Sequence, residues 1–371
     1  MIVPPYLRQV NRIKYLLAAG ILLAINACRK DSPHPAAPSQ STANIYVGGS
    51  VLLPSGAWQG AYFKNSINNT VTAANARLDT VPNSNGVISM AVLDSTVYMA
   101  ANTPGYWKGG TFIPVNGASA IQYLALNNNT IAMAGQDNTF TLSYWVNGSQ
   151  TNLMNTFNRT VYPNQGFVVY GFSGMALSGN EVVISGSYNF MDEPIPGATT
   201  ADTSTLPGLY ETLWLNGNIQ ILYHDYWNVN VDYTSTVGVV SSGNDIYVAA
   251  QMSSDSGTKN SGGYFRNGSW NSINNGAFRP NSIYASGTDV YIAGYTYTFP
   301  PYSNFKAAYC KNGDLIPIDG TATKAITTFG TDLYILAIDV NGNYVVWKNG
   351  AVIETLGSAS TLNLSCIAIA N

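Results

Sequence analysis

Seven times along the chain, two large apolar residues are followed by one long or polar residue and then by a pair of the Asn-Gly type. The copies are Tyr62 Phe63 Lys64 Asn65, Tyr106 Trp107 Lys108 Gly109 Gly110, Tyr144 Trp145 Val146 Asn147 Gly148, Leu213 Trp214 Leu215 Asn216 Gly217, Tyr264 Phe265 Arg266 Asn267 Gly268, Tyr309 Cys310 Lys311 Asn312 Gly313 and Val346 Trp347 Lys348 Asn349 Gly350. Each reads as a strand running into a tight hairpin turn. Neighbouring residues of a strand face opposite sides, so an apolar doublet predicts a strand covered on both faces.

A second pattern precedes each copy: Ile45 Tyr46 Val47, Val97 Tyr98 Met99, Ile131 Ala132 Met133, Val182 Val183 Ile184, Ile246 Tyr247 Val248, Val290 Tyr291 Ile292 and Leu333 Tyr334 Ile335, again apolar on both faces. Turn signals such as Gly243 Asn244 Asp245 and Gly287 Thr288 Asp289 come before these runs, and before the turns lie strands of smaller residues such as Ser282 to Ser286. One unit is therefore a four-stranded meander. The doublets at 63, 107, 145, 214, 265, 310 and 347 are 44, 38, 69, 51, 45 and 37 residues apart, the period of a propeller blade. The first unit lacks its small strand, and a surplus strand, Leu364 to Ile369, follows the last unit. The pattern thus predicts an all-β fold, a seven-bladed β-propeller over residues 44–371, its ring closed by the C-terminal strand completing blade one.

The N-terminus predicts an address. Arg8, Arg12 and Lys14 precede an apolar run from Tyr15 to Ile25 that is short for a bilayer span, which makes residues 1–27 a secretory leader. It ends Ile25 Asn26 Ala27 Cys28, which resembles the bacterial lipobox. There an aliphatic residue three before and a small residue just before the cysteine direct lipid attachment and cleavage; Asn26 departs from the usual choice. The resemblance implies lipidation of Cys28, with residues 28–43 a flexible tether and the acyl chains holding the protein to a membrane. The expected location is the bacterial cell envelope, on the outer membrane.

Composition narrows the function classes. The net charge is −3, and removal of the three basic leader residues makes it −6, so no basic footprint for nucleic acid exists. Cys310 and Cys366 sit inside strand patterns as small buried hydrophobes. Only His34 and His224 occur, which leaves no His-rich metal centre, and neither a metal ligand set nor a cofactor motif nor a catalytic residue is assigned. Asp339 Val340 Asn341 Gly342 Asn343 reads as a hairpin turn rather than a calcium loop.

In each unit the turns joining the first two and the last two strands open on one face, here called the turn face; the remaining connections open on the loop face. The long stretches Gly48–Gly60, Asn75–Gly86, Asn155–Gly171, Gly186–Thr212, Tyr223–Thr236, Gln251–Gly263 and Gly294–Lys306 all fall to the loop face on this reading, and function gathers there. They carry aromatics, among them Trp58, Tyr188, Tyr226, Trp227, Tyr297 and Tyr302, with Arg77, Arg159 and Arg279. Tyr188, Tyr226, Trp227, Tyr297, Tyr302, Arg159 and Arg279 are the candidate ligand-binding residues.

The repeat over residues 44–371 resembles uncharacterised bacterial propeller lipoproteins with recurrent Tyr-Trp-Lys-Asn-Gly blades, and loosely the Kelch-like group. That resemblance implies a fold and no reaction. The expected function is a membrane-anchored module binding a glycan or an envelope protein. The alternative is a carbohydrate-active hydrolase or lyase, which would need the arginines and carboxylates of the loop face to converge.

Overall fold

The apolar doublets do what alternation requires of them: each sends one side chain into the interface with the preceding blade and the other into the interface with the next. Tyr144 packs among residues of blades 3 and 4 while Trp145 packs among those of blades 2 and 3. Leu213 and Trp214 divide in the same way between two interfaces, as do Val346 and Trp347. The core is consequently seven clusters, one between each pair of neighbouring blades.

The computed structural model describes residues 44–66, 77–127, 129–153, 167–190, 208–226, 232–254, 260–273, 278–298 and 303–370. They form seven antiparallel four-stranded blades. Blade 1 contains β1 (Asn44–Leu52), β2 (Trp58–Ser66) and β3 (Arg77–Val81). Blade 2 is β4 (Ser89–Leu93), β5 (Thr96–Thr103), β6 (Gly105–Lys108) and β7 (Thr111–Pro114). Blade 3 is β8 (Ala118–Asn127), β9 (Thr130–Asp137), β10 (Leu142–Val146) and β11 (Ser149–Asn152). Blade 4 is β12 (Phe167–Ser178), β13 (Glu181–Phe190), β14 (Gly208–Leu215) and β15 (Asn218–Tyr226). Blade 5 is β16 (Asp232–Ser242), β17 (Asp245–Ser254), β18 (Asn260–Arg266) and β19 (Ser269–Ser272). Blade 6 is β20 (Phe278–Ser286), β21 (Asp289–Thr298), β22 (Ser303–Lys311) and β23 (Asp314–Pro317). Blade 7 is β24 (Ala322–Phe329), β25 (Asp332–Ile338), β26 (Asn343–Lys348) and β27 (Ala351–Ser358).

The last strand, β28 (Leu362–Ala370), pairs antiparallel with β1 and becomes the inner strand of blade 1. Chain termini of the propeller are thus zipped by a full ladder, and no inner edge is left open. Leu364 and Ile367 of β28 lie in the same cluster as Tyr334, Leu336 and Val346 of blade 7.

The Asn-Gly turns hold the other strands in place. Asn147, Asn216, Asn267, Asn312 and Asn349 all have φ between 48° and 53°, and the glycines after them have φ between 84° and 97°, as the tight hairpin turn demands. Each asparagine amide donates to the carbonyl of the first or second residue of its blade's second strand, at 2.9 to 3.0 Å. The amide of that same residue (Ile131, Val182, Ile246, Val290 or Leu333) donates back to the asparagine Oδ1 at 2.8 to 2.9 Å. Two hydrogen bonds from one turn residue therefore fasten the outer hairpin to the strand beside it.

In blades 5, 6 and 7 the clamp extends further. Asn267, Asn312 and Asn349 donate through Nδ2 to Asp245, Asp289 and Asp332 at 2.6 to 2.8 Å. The second oxygens of those aspartates pair with Arg266, Lys311 and Lys348, whose charges lie 5.3 to 5.8 Å from the ring centroids of Tyr247, Tyr291 and Tyr334. Lys64 over Tyr46 and Lys108 over Tyr98 repeat the cation and ring pairing in blades 1 and 2. This explains the long basic residue that stands between doublet and turn.

Closure by β28 has a direct consequence. Deleting Leu362 to Asn371 strips blade 1 of its inner strand and uncovers the blade 7 interface, so thermal unfolding followed by circular dichroism should lose its cooperative transition. A truncated chain that melts as the parent does would contradict the closure.

Candidate functional site

The inner strands share a feature that the hydrophobic pattern does not reveal. Six of them carry an extra residue at one shared level, five residues before the strand reaches its end: Gln122, Ser173, Val237, Asn281 and Lys324 in blades 3 to 7, with Ser365 at the same place in β28; β8 and β12 bulge once more, at 119 and 170. In blade 2 the equivalent position is Ile88, just ahead of β4, whose amide donates to Ala100 O at 2.9 Å. Such one-residue bulges twist the strand and re-aim a side chain. Ser365 Oγ donates to Val87 O at 3.1 Å, Ser173 Oγ to Thr236 Oγ1 at 2.9 Å, and Asn281 Nδ2 to Thr323 O at 2.7 Å. In all three the acceptor is the residue before the bulge of the next blade. The bulges thus stitch inner strands together sideways.

The seven inner strands surround a channel of about 790 Å³, lined chiefly by apolar and hydroxyl side chains including Met90, Leu124, Met175, Val239, Ile283 and Ile367. Beside its mouth on the loop face, between blades 1 and 2, lies a second cavity of about 340 Å³. Its side chains are those of Ser50, Asn83, Ser84, Asn85, Val87, Ile88, Ala101, Asn102, Asn363 and Ser365. None is charged. The walls are held by short backbone bonds: Gly60 N to Ser84 O at 2.6 Å and Val87 N to Gly49 O at 2.8 Å. A side chain at Gly49 would collide with Asn363 O at 2.2 Å, so glycine is what lets β28 approach.

The sequence-predicted site residues divide among several places. Tyr297 lies within β21 and is only 5% exposed, in tilted ring contact with Tyr295 and Phe305 and accepting a hydrogen bond from Gln251 Nε2 at 3.4 Å. It packs the wall between blades 5 and 6, and Phe305, 46% exposed, is the open member of that aromatic group. Tyr188 and Tyr226 fall in β13 and β15 rather than in loops. Arg279, exposed, is the second residue of β20 and so stands at the loop-face end of an inner strand. Cys28, Arg159, Trp227 and Tyr302 lie outside the described residues.

Arg77 requires a correction. It opens β3 opposite Lys64, which puts it at the turn-face end of blade 1, on the far side from Arg279. The connection preceding it is long, so the turn face does not carry short turns alone. The expected stretch Asn75–Gly86 contains β3 and spans both faces. Arg77 and Arg279 therefore do not converge. The other predicted loops are also shorter than expected, because polar second halves of strands such as Ser187–Phe190, Gln251–Ser254 and Tyr295–Thr298 remain in their ladders.

Asp339 accepts from the amides of Asn341 and Asn343 at 2.8 Å, and Asp137 likewise caps Thr139 and Thr141 at 2.9 Å. Both organise tight loop-face turns, as the hairpin reading of Asp339 to Asn343 predicts. Cys310 and Cys366 are unpaired thiols within strands, Cys310 buried as expected and Cys366 only partly so, and burial raises the Cys310 thiol to about 11. Among the described residues no three His, Cys, Asp or Glu side chains cluster as a metal site.

Two glutamates are buried among the described residues, Glu211 and Glu354, and the hydrophobic pattern marks neither. Glu211, in β14, is 2% exposed and bridges blades 4 and 5 by accepting from Thr236 N at 3.2 Å and Thr236 Oγ1 at 2.7 Å. Thr236 Oγ1 accepts from Ser173, whose Oγ also contacts Ser185 Oγ at 2.8 Å. A chain of hydroxyls thus leads from the carboxyl to the channel wall at Ser173. Burial raises the Glu211 carboxyl to about 7, and the two Thr236 bonds oppose the rise without cancelling it.

Because this value lies above the 4.5 of a free glutamate, the folded chain holds a proton that the unfolded chain has lost between those pH values. Stability then falls as pH rises from about 4.5 to about 7, by about 3 kcal/mol in all, and stays reduced above. Glu211→Gln should remove that dependence. Melting curves of parent and variant should separate progressively over the window, with the variant higher at pH 8; parallel curves would contradict the assignment.

No protein-family model matches the chain, and no curated protein does. Solved structures do share its outline. The β-propeller domain of the Trilobed protease from Pyrococcus furiosus is 10% identical over 85% of this chain and 92% of that one, with a TM-score of 0.48. A polysaccharide lyase, an ulvan lyase bound to a glucuronate-containing sugar, is 9% identical over 88% and 93%, with a TM-score of 0.47. The Aleuria aurantia lectin in complex with α-methyl-L-fucoside is 10% identical over 88% and 95%, with a TM-score of 0.32. These likenesses carry no chemistry across; the seven-bladed β-propeller stands on this chain's own strand order and closing strand.

Proposed function

We propose that the protein is a binding module of the bacterial cell envelope, lipid-anchored through Cys28, whose cavity between blades 1 and 2 takes a glycan. The observation that carries the reading is the lining of that cavity: Asn83, Asn85, Asn102 and Asn363 with Ser50, Ser84 and Ser365 and, among the described residues, no charged side chain. Asparagine and serine each donate and accept, which matches the two-way hydrogen bonding of sugar hydroxyls. A volume of about 340 Å³ is that of a small ligand pocket and suits one or two sugar residues.

An aromatic stands close by in the chain. Trp58, 40% exposed, begins β2 two residues ahead of Gly60, whose amide is tied to the cavity wall through Ser84 O. Flat rings of this kind stack on sugar faces. The leader and lipobox supply the membrane address, and the Ser- and Pro-rich tether of residues 29–43 gives the propeller reach from the bilayer.

The test is a glycan array and a titration of the best-bound oligosaccharide with parent and Asn85→Ala/Asn363→Ala. Each lost hydrogen bond is worth roughly 0.5–1.5 kcal/mol, so the double variant should bind about tenfold more weakly while melting as the parent does. In cells, Cys28→Ser should move the protein from the membrane fraction to the soluble one. Binding unchanged by the double variant would put the ligand elsewhere, and unchanged membrane retention would remove the anchor.

A further inference from the structure

Charge is nearly absent from the inner strands. Reading β28, β4, β8, β12, β16, β20 and β24 residue by residue, only Asp232, Arg279 and Lys324 are charged, and Asp232 is the first residue of its strand. Arg279 and Lys324 occupy neighbouring inner strands. Asn281, two residues after Arg279, donates to the carbonyl of Thr323, the residue before Lys324, at 2.7 Å. The two cations therefore stand on tied, adjoining strands toward the loop-face end of blades 6 and 7.

Lys324 is also the bulge residue of its strand, at the level of Ser365 in the adjoining β28. Going round the mouth, blade 6 offers Arg279, blade 7 Lys324, blade 1 Asn363 and Ser365, and blade 2 the asparagines of the cavity. Lys324 thus stands one strand away from Asn363 and Ser365 of the cavity wall, with Arg279 on the strand beyond.

Among the described residues neither cation has the aspartate or the tyrosine ring that the basic residues of the turn face have. On the turn face Arg266, Lys311 and Lys348 each hold an aspartate at 2.7 to 2.8 Å. Among the described residues no acid pairs with Lys324 or Arg279. Asp319, in the connection leading into β24, is exposed and forms no ion pair with either. Lys324 is half-buried, and burial lowers its pKa, the mark of an ammonium losing water without gaining a partner. In a chain of net negative charge, an uncompensated cation in an inner strand is costly unless a ligand supplies the anion.

We propose that the glycan is acidic, and that Lys324, with Arg279 beside it, receives the carboxylate or sulfate group of a sugar whose hydroxyls occupy the Asn- and Ser-lined cavity. This inference rests on the glycan reading above and deepens it. Arginine's planar fork and lysine's compact charge together suit an oxyanion.

The experiment compares paired probes by calorimetric titration: uronate oligosaccharides with their carboxyl-reduced counterparts, and sulfated oligosaccharides with their desulfated ones. The full-length parent should bind the charged member of one pair about tenfold or more tightly, and that advantage should shrink with added salt. The successful pair tells carboxylate from sulfate. Lys324→Met should bring the charged member down to the affinity of its neutral partner and leave the neutral one unchanged, and Lys324→Arg should restore much of the difference. Melting curves control for folding, and Arg279→Gln, at an exposed position, gives a second variant with a smaller loss in the same direction.

Equal binding of charged and neutral members, or a charged preference untouched in Lys324→Met and Arg279→Gln, overturns the acidic-sugar proposal while leaving the glycan reading intact. Binding of no member of any pair overturns both.

Discussion

The hydrogen bond from a second-strand amide to an asparagine Oδ1 is the constraint on which the blades depend. It recurs at 2.8 to 2.9 Å in blades 3 to 7, and it needs an asparagine in the left-handed region followed by a glycine. Aspartate would not offer the Nδ2 donor that blades 5 to 7 use toward Asp245, Asp289 and Asp332. Glycine, as at Gly109 in blade 2, keeps the backbone bond to Val97 O and lacks the side-chain one. A clamp of this sort fixes the turn-face end of most blades in one geometry. Variation is then left to the opposite end.

At that opposite end the bulges set the chemistry. A regular inner strand alternates strictly between the two faces of its blade. The extra residue breaks the alternation at one level and turns Ser365, Ser173 and Asn281 toward the next blade, where each meets a polar group one residue ahead of the neighbouring bulge. At the same bulge position Lys324 has no acceptor among the described residues. Hydrogen bonding through Thr236 and Ser173 also brings the buried Glu211 into the inter-blade girdle, which gives the blade 4 and 5 interface a pH dependence near neutrality.

The fold was legible because the doublets and Asn-Gly turns are local: each blade announces itself within a few residues, and Leu364 to Ile369 stood out as a strand without a blade. Loop boundaries were less legible. Stretches such as Tyr188–Phe190 and Gln251–Ser254 are short of apolar alternation, yet ladder hydrogen bonds do not require it, and so strands ran further than their composition indicates. Tyr297 read as a loop aromatic for the same reason and is a packing residue. Arg77 was misplaced because blade 1 alone has a long connection where the other blades have a tight turn. The cavity could not be seen at all, since Ser365 and Val87 meet across 278 residues of chain. Aligning the units on their first turns would have exposed one signal, the polar residue five positions earlier in Ser173, Asn281, Lys324 and Ser365.

The central claim is that ligand enters at the loop-face mouth, between the cavity of blades 1 and 2 and the cations of blades 6 and 7. Hydrogen exchange of the full-length protein, with and without the oligosaccharide it binds best, addresses that claim most directly. The account predicts slowed exchange of amides in residues 83–88, 322–326 and 363–366, with the Asn-Gly turns on the other face unchanged. Protection confined to those turns, around Asn267, Asn312 and Asn349, would contradict it.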